Sequence, residues 1–192
     1  MFPLSAEYPE NRRSLLSSIE GILSEDTLST IRDLLPSAYD PVFCHGDFLA
    51  GNVLYKAGSN QGLIDFEYAG YSYGAFDIAN MINESHIDNS EPEWPYWGFV
   101  EKYKADNARI AKWVKAYGEG IDFWVEVKVF ICVNNFYWAL WGLTMVPSWE
   151  RGDFLDHMSY AVMRYETGMK DLVEIQELGR QGLREIGEQF FN

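Results

Sequence analysis

Basic residues are scarce in this sequence. Fifteen Lys and Arg stand against twenty-nine Asp and Glu, a formal net charge of −14 over 192 residues. A surface of that sign repels nucleic acid and anionic bilayers, which sets both aside as partners, and it is compatible with a cationic substrate. Cysteine is scarce too. Cys44 and Cys132 are the only two, each in an apolar run. They read as reduced, buried thiols of a cytoplasmic protein and not as a disulfide framework. No charged-then-apolar leader opens the chain. Long apolar runs are nearly absent. Val129–Trp149 carries no charged residue and approaches the ~20 residues of a spanning helix. Asn134 and Asn135 interrupt it and Pro147 comes near its end, so a buried amphipathic helix is expected instead.

What the chain has in quantity is aromatic side chains, 16% of residues, among them seven Trp. They can fill a core, and they can also line a pocket for a cation. The length suits one compact domain or one large lobe. Helical spacing of Leu15, Leu16, Ile19, Ile22 and Leu23 predicts two helical pieces over 9–35, with Ser24 capping the second and Pro36 ending it. Three short apolar runs follow, Val42–Cys44, Asn52–Tyr55 and Leu63–Phe66, and read as strands. The turn 57–60 between the last two is the plainest hairpin connection. Helices are expected near 75–87, 96–117, 121–146, 153–170 and 171–190. A strand-and-turn region followed by a helical bulk is an α+β layout, mostly helical.

The strongest chemical signal is Phe43-Cys44-His45-Gly46-Asp47, with Asn52 five residues beyond Asp47 and a second strand after it. Phosphoryl transfer needs a carboxylate that accepts a hydroxyl proton and oxygen ligands for a magnesium ion on the nucleotide phosphates. Asp47 and Asn52 on one loop can divide those roles, at the spacing of the protein-kinase catalytic loop. Asp65 ends the next strand in Leu63-Ile64-Asp65-Phe66-Glu67. A hairpin would bring it beside that loop as a second metal ligand. Alone, Asp47 could cap a turn and Asp65 could be an ordinary strand-end carboxylate. Their order and the short hairpin between them favour the phosphotransferase reading. Asp77, Asn80 and Glu84 then share one helix face. Such a stripe is either a solvated face or one turned into a site. Trp138 and Trp141, three apart, also share a face; aromatic pairs usually pack interiors.

These motifs, together with Ile64-Asp65-Phe66-Glu67-Tyr68, Phe76-Asp77-Ile78 and Asn135-Phe136-Tyr137-Trp138-Ala139-Leu140-Trp141-Gly142, resemble the choline/ethanolamine kinase family over roughly residues 40 to 170. The resemblance implies the C-terminal lobe of a protein-kinase-like fold, with short β-hairpins at the catalytic site. It implies residues 1–40 as a helical lead-in and 41–192 as the lobe, with the nucleotide-gripping N-terminal lobe outside this chain. Asp47 would be the catalytic base, and Asn52 and Asp65 the magnesium ligands. Asp77 would brace the catalytic loop, through His45. Tyr68, Glu84, Trp138, Trp141 and Tyr160 would surround the amine. The co-substrate would be ATP with Mg2+, and the acceptor the hydroxyl of ethanolamine or choline. An exposed lobe interface would favour a homodimer.

Three positions depart from the family pattern: Gly46 stands for the more usual Asn, Ser72 for Asn and Met81 for His. None removes a ligand or the base. Asn89, Leu155 and His157 stand where choline kinases tend to be aromatic. A trimethylated cation wants a broad aromatic cage, whereas a primary ammonium offers three N–H donors. Ethanolamine is therefore the favoured amine. An aminoglycoside-type phosphotransferase shares the catalytic loop, and a non-catalytic amine-binding module is the reading in which the missing lobe matters most.

Overall fold

The structure is a computed structural model that describes residues 19, 21–22, 24–57, 62–93, 97–101, 104–148 and 155–191. Leu15, Leu16, Leu23 and the tip of the 57–60 turn lie outside those residues. The chain divides into two compact units. One comprises Met1–Leu35, Ile87–Val100 and Cys132–Glu174, and the other Pro36–His86, Glu101–Ile131 and Ile175–Asn192. We call them the first and second unit.

The second unit carries the first four strands. β1 (Val42–Cys44) pairs antiparallel with β4 (Gly70–Ser72), Phe43 opposite Tyr71, and not with the strand that follows it. β2 (Val53–Leu54) and β3 (Gly62–Leu63) form the expected hairpin, Val53 opposite Leu63. Both are shorter than the apolar runs that predict them. Asn52 belongs to a 3-10 turn, Ala50–Asn52, that delivers it to the strand. β3 stops at Leu63, so Asp65 lies past the ladder in a left-handed backbone conformation, φ 66°.

Helix α1 (Glu25–Leu34), in the first unit, begins where Ser24 caps it: the Thr27 N–H donates to Ser24 Oγ at 3.2 Å. In the second unit, α2 (Gly74–Glu84) buries Ala75, Ile78, Ala79, Met81 and Ile82 and so anchors the strands to a core. α3 (Asn107–Tyr117) is shorter than the expected 96–117. Its start is fixed by Asp106, whose carboxylate accepts the Arg109 N–H at 2.8 Å. Upstream, Gly98–Phe99 is a strand, β6, paired with β5 (Ile87–Asp88) in the first unit.

α4 (Ile121–Met145) and α5 (His157–Phe191) each supply residues to both units. The expected break between 170 and 171 does not occur. The helical path is interrupted at Gly179, φ 63° and ψ 174°, because glycine alone enters that region freely. Within the first unit the two helices cross closely at Gly142: a Cβ there would stand 3.0 Å from the His157 carbonyl oxygen and from Ala161 Cβ. The polar residues that argue against a membrane span are satisfied in this interior. Arg164 Nη2 donates to Asn134 Oδ1 at 2.7 Å, and Asn135 Nδ2 to Asp171 at 3.1 Å. Among the described residues no helix is long and apolar enough to cross a membrane. Both cysteines are free and buried. Helix-dominated, with short antiparallel strand pairs, the architecture is the α+β class the pattern implies.

Candidate active site

The turn after β1 is built on two constraints. Gly46 has φ 81°, and a Cβ on it would lie 2.2 Å from the Tyr68 carbonyl oxygen and 2.7 Å from its carbon. With this backbone, a side chain there would force the turn or the Tyr68 carbonyl to shift. The second constraint is Asp77, in the first turn of α2. Its Oδ2 accepts the His45 N–H at 2.7 Å and its Oδ1 the Gly46 N–H at 2.9 Å. A buried backbone turn would otherwise leave both donors without partners. Asp77 therefore holds the loop through backbone amides, not through the His45 ring.

The ring has another task. Its Nε2 meets the Ile64 carbonyl at 2.8 Å, so Nε2–H is the donor, and its face packs 4.7 Å from the Phe66 ring. His45 thereby ties the loop to the segment that carries Asp65. Its Nε2–H is committed to that carbonyl.

Asp47 is half-buried and held from two sides. Asn52 Nδ2 donates to Asp47 Oδ2 at 3.2 Å and to the Asp47 carbonyl at 3.0 Å. Asn80 Nδ2 donates to Asp47 Oδ1 at 3.3 Å and to the Phe48 carbonyl at 3.2 Å. Each carboxylate oxygen thus receives one amide N–H and keeps a lone pair for another proton donor. Burial, then the charge of Glu84, push the Asp47 carboxyl above its ordinary value; the bonds from Asn80 and Asn52 and the nearby His45 pull the other way. A carboxylate whose affinity for a proton is raised is suited to general-base work.

Asn80 is fully buried, 0% exposed. The sequence pattern places it on the polar stripe with Asp77 and Glu84 and assigns it no role. The stripe was the available signal; its partner, Asp47, was not.

Asn52 directs its amide nitrogen at Asp47, which frees its side-chain carbonyl oxygen. The Ile64 N–H donates to the Asn52 backbone carbonyl at 3.1 Å, so Asp65 follows directly on a residue bonded to Asn52. Asp65 is exposed. An amide oxygen and a carboxylate are hard oxygen donors of the kind magnesium takes. Beside them Leu54, Leu63 and Ile64 are exposed, at 53%, 42% and 42%. Glu84 closes α2 and is half-buried, as is Tyr68.

The second unit thus gathers His45, Asp47, Asn52, Asp65, Tyr68, Asp77 and Glu84. Trp138, Trp141 and Tyr160 belong to the first unit, where they form an aromatic cluster. The Trp138 and Trp141 rings lie 5.3 Å apart at 72°, Trp141 lies 6.1 Å from Tyr160 and 5.5 Å from His157. Trp138 and Tyr160 are buried and Trp141 is half-buried. The Arg164 guanidinium stands 5.6 Å from the Tyr160 ring centroid and fixes that ring from within the unit. In the same unit His157 and Leu155 are buried and Asn89 is exposed.

The family model described as choline/ethanolamine kinase matches residues 7–168. Ethanolamine kinase 1 of Mus musculus is 30% identical over 184 residues, which cover 88% of this chain and 48% of the mouse protein. Ethanolamine kinase 2 of Homo sapiens is 32% identical over 160 residues, 76% of this chain and 39% of the human one. The chain therefore spans about half or less of the length of these relatives. A choline kinase structure from Cryptosporidium parvum superposes with a TM-score of 0.59 at 21% identity, covering 96% of this chain and 54% of that one. An ethanolamine kinase structure from Plasmodium vivax gives 0.55 at 23%, covering 81% and 39%. At these identities the two structures show a shared fold.

Proposed function

The chain belongs to the choline/ethanolamine kinase family, and on that premise we propose that this protein transfers the γ-phosphoryl group of ATP to the hydroxyl of ethanolamine or choline. The observation that carries the reading is the Asp47 carboxylate, clamped by Asn52 and Asn80, with the segment that leads into Asp65 bonded to the Asn52 backbone. Asp47 accepts the proton of the substrate hydroxyl as its oxygen bonds to phosphorus and the bond to the leaving ADP oxygen breaks. Asp77 and His45 hold the loop and the Asp65 segment in register while this happens.

Asn52 and Asp65 would hold magnesium, which offsets the negative charge of the nucleotide phosphates. The exposed Leu54, Leu63 and Ile64 offer apolar surface to the nucleobase. Trp138, Trp141 and Tyr160 serve the cationic end; a cation over an indole face gains ~0.5–2 kcal/mol. Glu84 supplies the counter-charge. The primary ammonium of ethanolamine is the better match, because Asn89 and His157 can accept N–H bonds that a trimethylated head cannot make.

The test is a substrate panel on the natural gene product with magnesium-ATP. Ethanolamine and choline are expected to be phosphorylated, ethanolamine with the higher kcat/KM, and an aminoglycoside left unchanged. Phosphorylation of the aminoglycoside with neither amino alcohol consumed would refute the assignment.

A further inference from the structure

A groove in the second unit, outside the catalytic constellation, has the character of a ligand site of its own. It is open to solvent, offers about 880 Å³ and runs along α3 beside Phe48 and Ile78. That volume lies within the ~300–1,000 Å³ of small-molecule sites. Phe48, Ile78, Ala108 and Ala116 give it apolar walls, and Trp113 and Tyr117 extend them. Two cations, Arg109 and Lys112, stand over this apolar surface one helical turn apart. Lys112 is exposed, and among the described residues no carboxylate forms an ion pair with it. In a chain of net charge −14, an apolar groove headed by two cations and lined by no acid is a local exception.

The arrangement is directional. From Ala108 to Tyr117 the lining extends about 13 Å at 1.5 Å per residue. The cations lie toward the start of that span, and Ala116 and Tyr117 lie at its far end. Beyond Arg109 a smaller cavity of about 180 Å³ adds the Ser85 side chain, with Ile82 and Ala105. An elongated apolar trough with a cationic head end fits a single-chain anionic amphiphile: an acyl or alkyl tail carrying one phosphate or carboxylate.

We propose that this groove binds such an amphiphile, head on Lys112 and Arg109, tail along Trp113 and Ala116. The occupant is one ligand molecule, since the chain's overall charge repels an anionic bilayer. Phe48 forms part of the wall, and its carbonyl is the one Asn80 holds beside Asp47. A ligand seated there rests one residue from the proposed base.

The test is calorimetric titration of the 192-residue chain with dodecyl phosphate below its micelle concentration. Parallel arms use dodecyltrimethylammonium, inorganic phosphate, and phosphatidylcholine vesicles doped with phosphatidic acid. Non-specific association with an acidic protein favours the cationic tail, so the comparison is discriminating. The expected result is saturable one-to-one binding of dodecyl phosphate, tighter than either the ammonium tail or phosphate alone. Lys112→Glu is expected to weaken it by about tenfold or more. Ala116→Trp, which fills the tail end and leaves both cations in place, is expected to weaken it too. Both positions are exposed, and unchanged melting curves would show both variants folded. Equal or tighter binding of the ammonium tail overturns the proposal, as does binding of phosphate alone at equal affinity. Binding to vesicles without binding of the monomer, no saturable binding, or indifference to both substitutions does the same.

Discussion

Replacing Gly46 by alanine tests the loop geometry on which the site rests. At φ 81° an L-residue pays for Cβ contact with its own backbone, about 1–2 kcal/mol. The new methyl would also lie 2.2 Å from the Tyr68 carbonyl oxygen and 2.7 Å from its carbon. Those are backbone atoms, so no rotamer change relieves the overlap, and overpacking of this kind costs about 1–3 kcal/mol. The sum is a loss of about 2–5 kcal/mol, read in urea unfolding followed by tryptophan fluorescence. Gly46→Asn separates the two contributions. Asn tolerates the left-handed region, so it isolates the overlap with Tyr68. The expected order of stability is Gly, then Asn, then Ala. An alanine variant within about 0.5 kcal/mol of the parent, the usual range for an inconsequential surface change, refutes the reasoning.

Three further outcomes follow from the same geometry. Asn80→Ala withdraws one donor from Asp47 and one from the Phe48 carbonyl; a loss of about 1–3 kcal/mol in stability is expected, with kcat falling more than the amine KM changes. Glu84→Gln removes a charge that raises the Asp47 carboxyl, so the acid limb of the kcat/KM profile moves to lower pH, whereas Asn80→Ala moves it to higher pH. Burial pushes the Cys44 thiol up to about 11 and the Cys132 thiol up as well, so a thiol reagent at mildly alkaline pH labels neither in the folded chain and both in denaturant. The linked effect on stability has a definite sign. The folded state holds the Cys44 proton above 9.0, where an unfolded thiol releases it, so stability declines as pH rises from there toward about 11.

The chemistry was more legible in the sequence than the topology, for a physical reason. Asp47, Asn52 and Asp65 lie within one short stretch, where a turn and a hairpin leave few ways to arrange them. The Asp77–Asn80–Glu84 stripe was equally readable, since helix periodicity is local. What those side chains reach was not readable, because it depends on pairings between distant segments. β1 joins β4 and not its neighbour, and that pairing brings the start of α2 under the loop. Asn80 and Asp47 are 33 residues apart in the chain. The start of α3 was misplaced because apolar periodicity ran on through Gly98 and Phe99, where strand pairing wins over helix propensity. The break in α5 falls at Gly179 and not near 170, because apolar spacing continues through Leu172 and Ile175, both buried.

The most direct test of the account is Asp47→Asn in the natural gene product, assayed with ethanolamine and magnesium-ATP. The amide keeps the size of the side chain but cannot take the hydroxyl proton. A general base contributes about 10²–10⁴-fold. We predict that kcat falls by a factor in that range while the KM for ethanolamine stays within about threefold, because the aromatic cluster and Glu84 are untouched. Turnover retained within about twofold would contradict the central claim that Asp47 is the base.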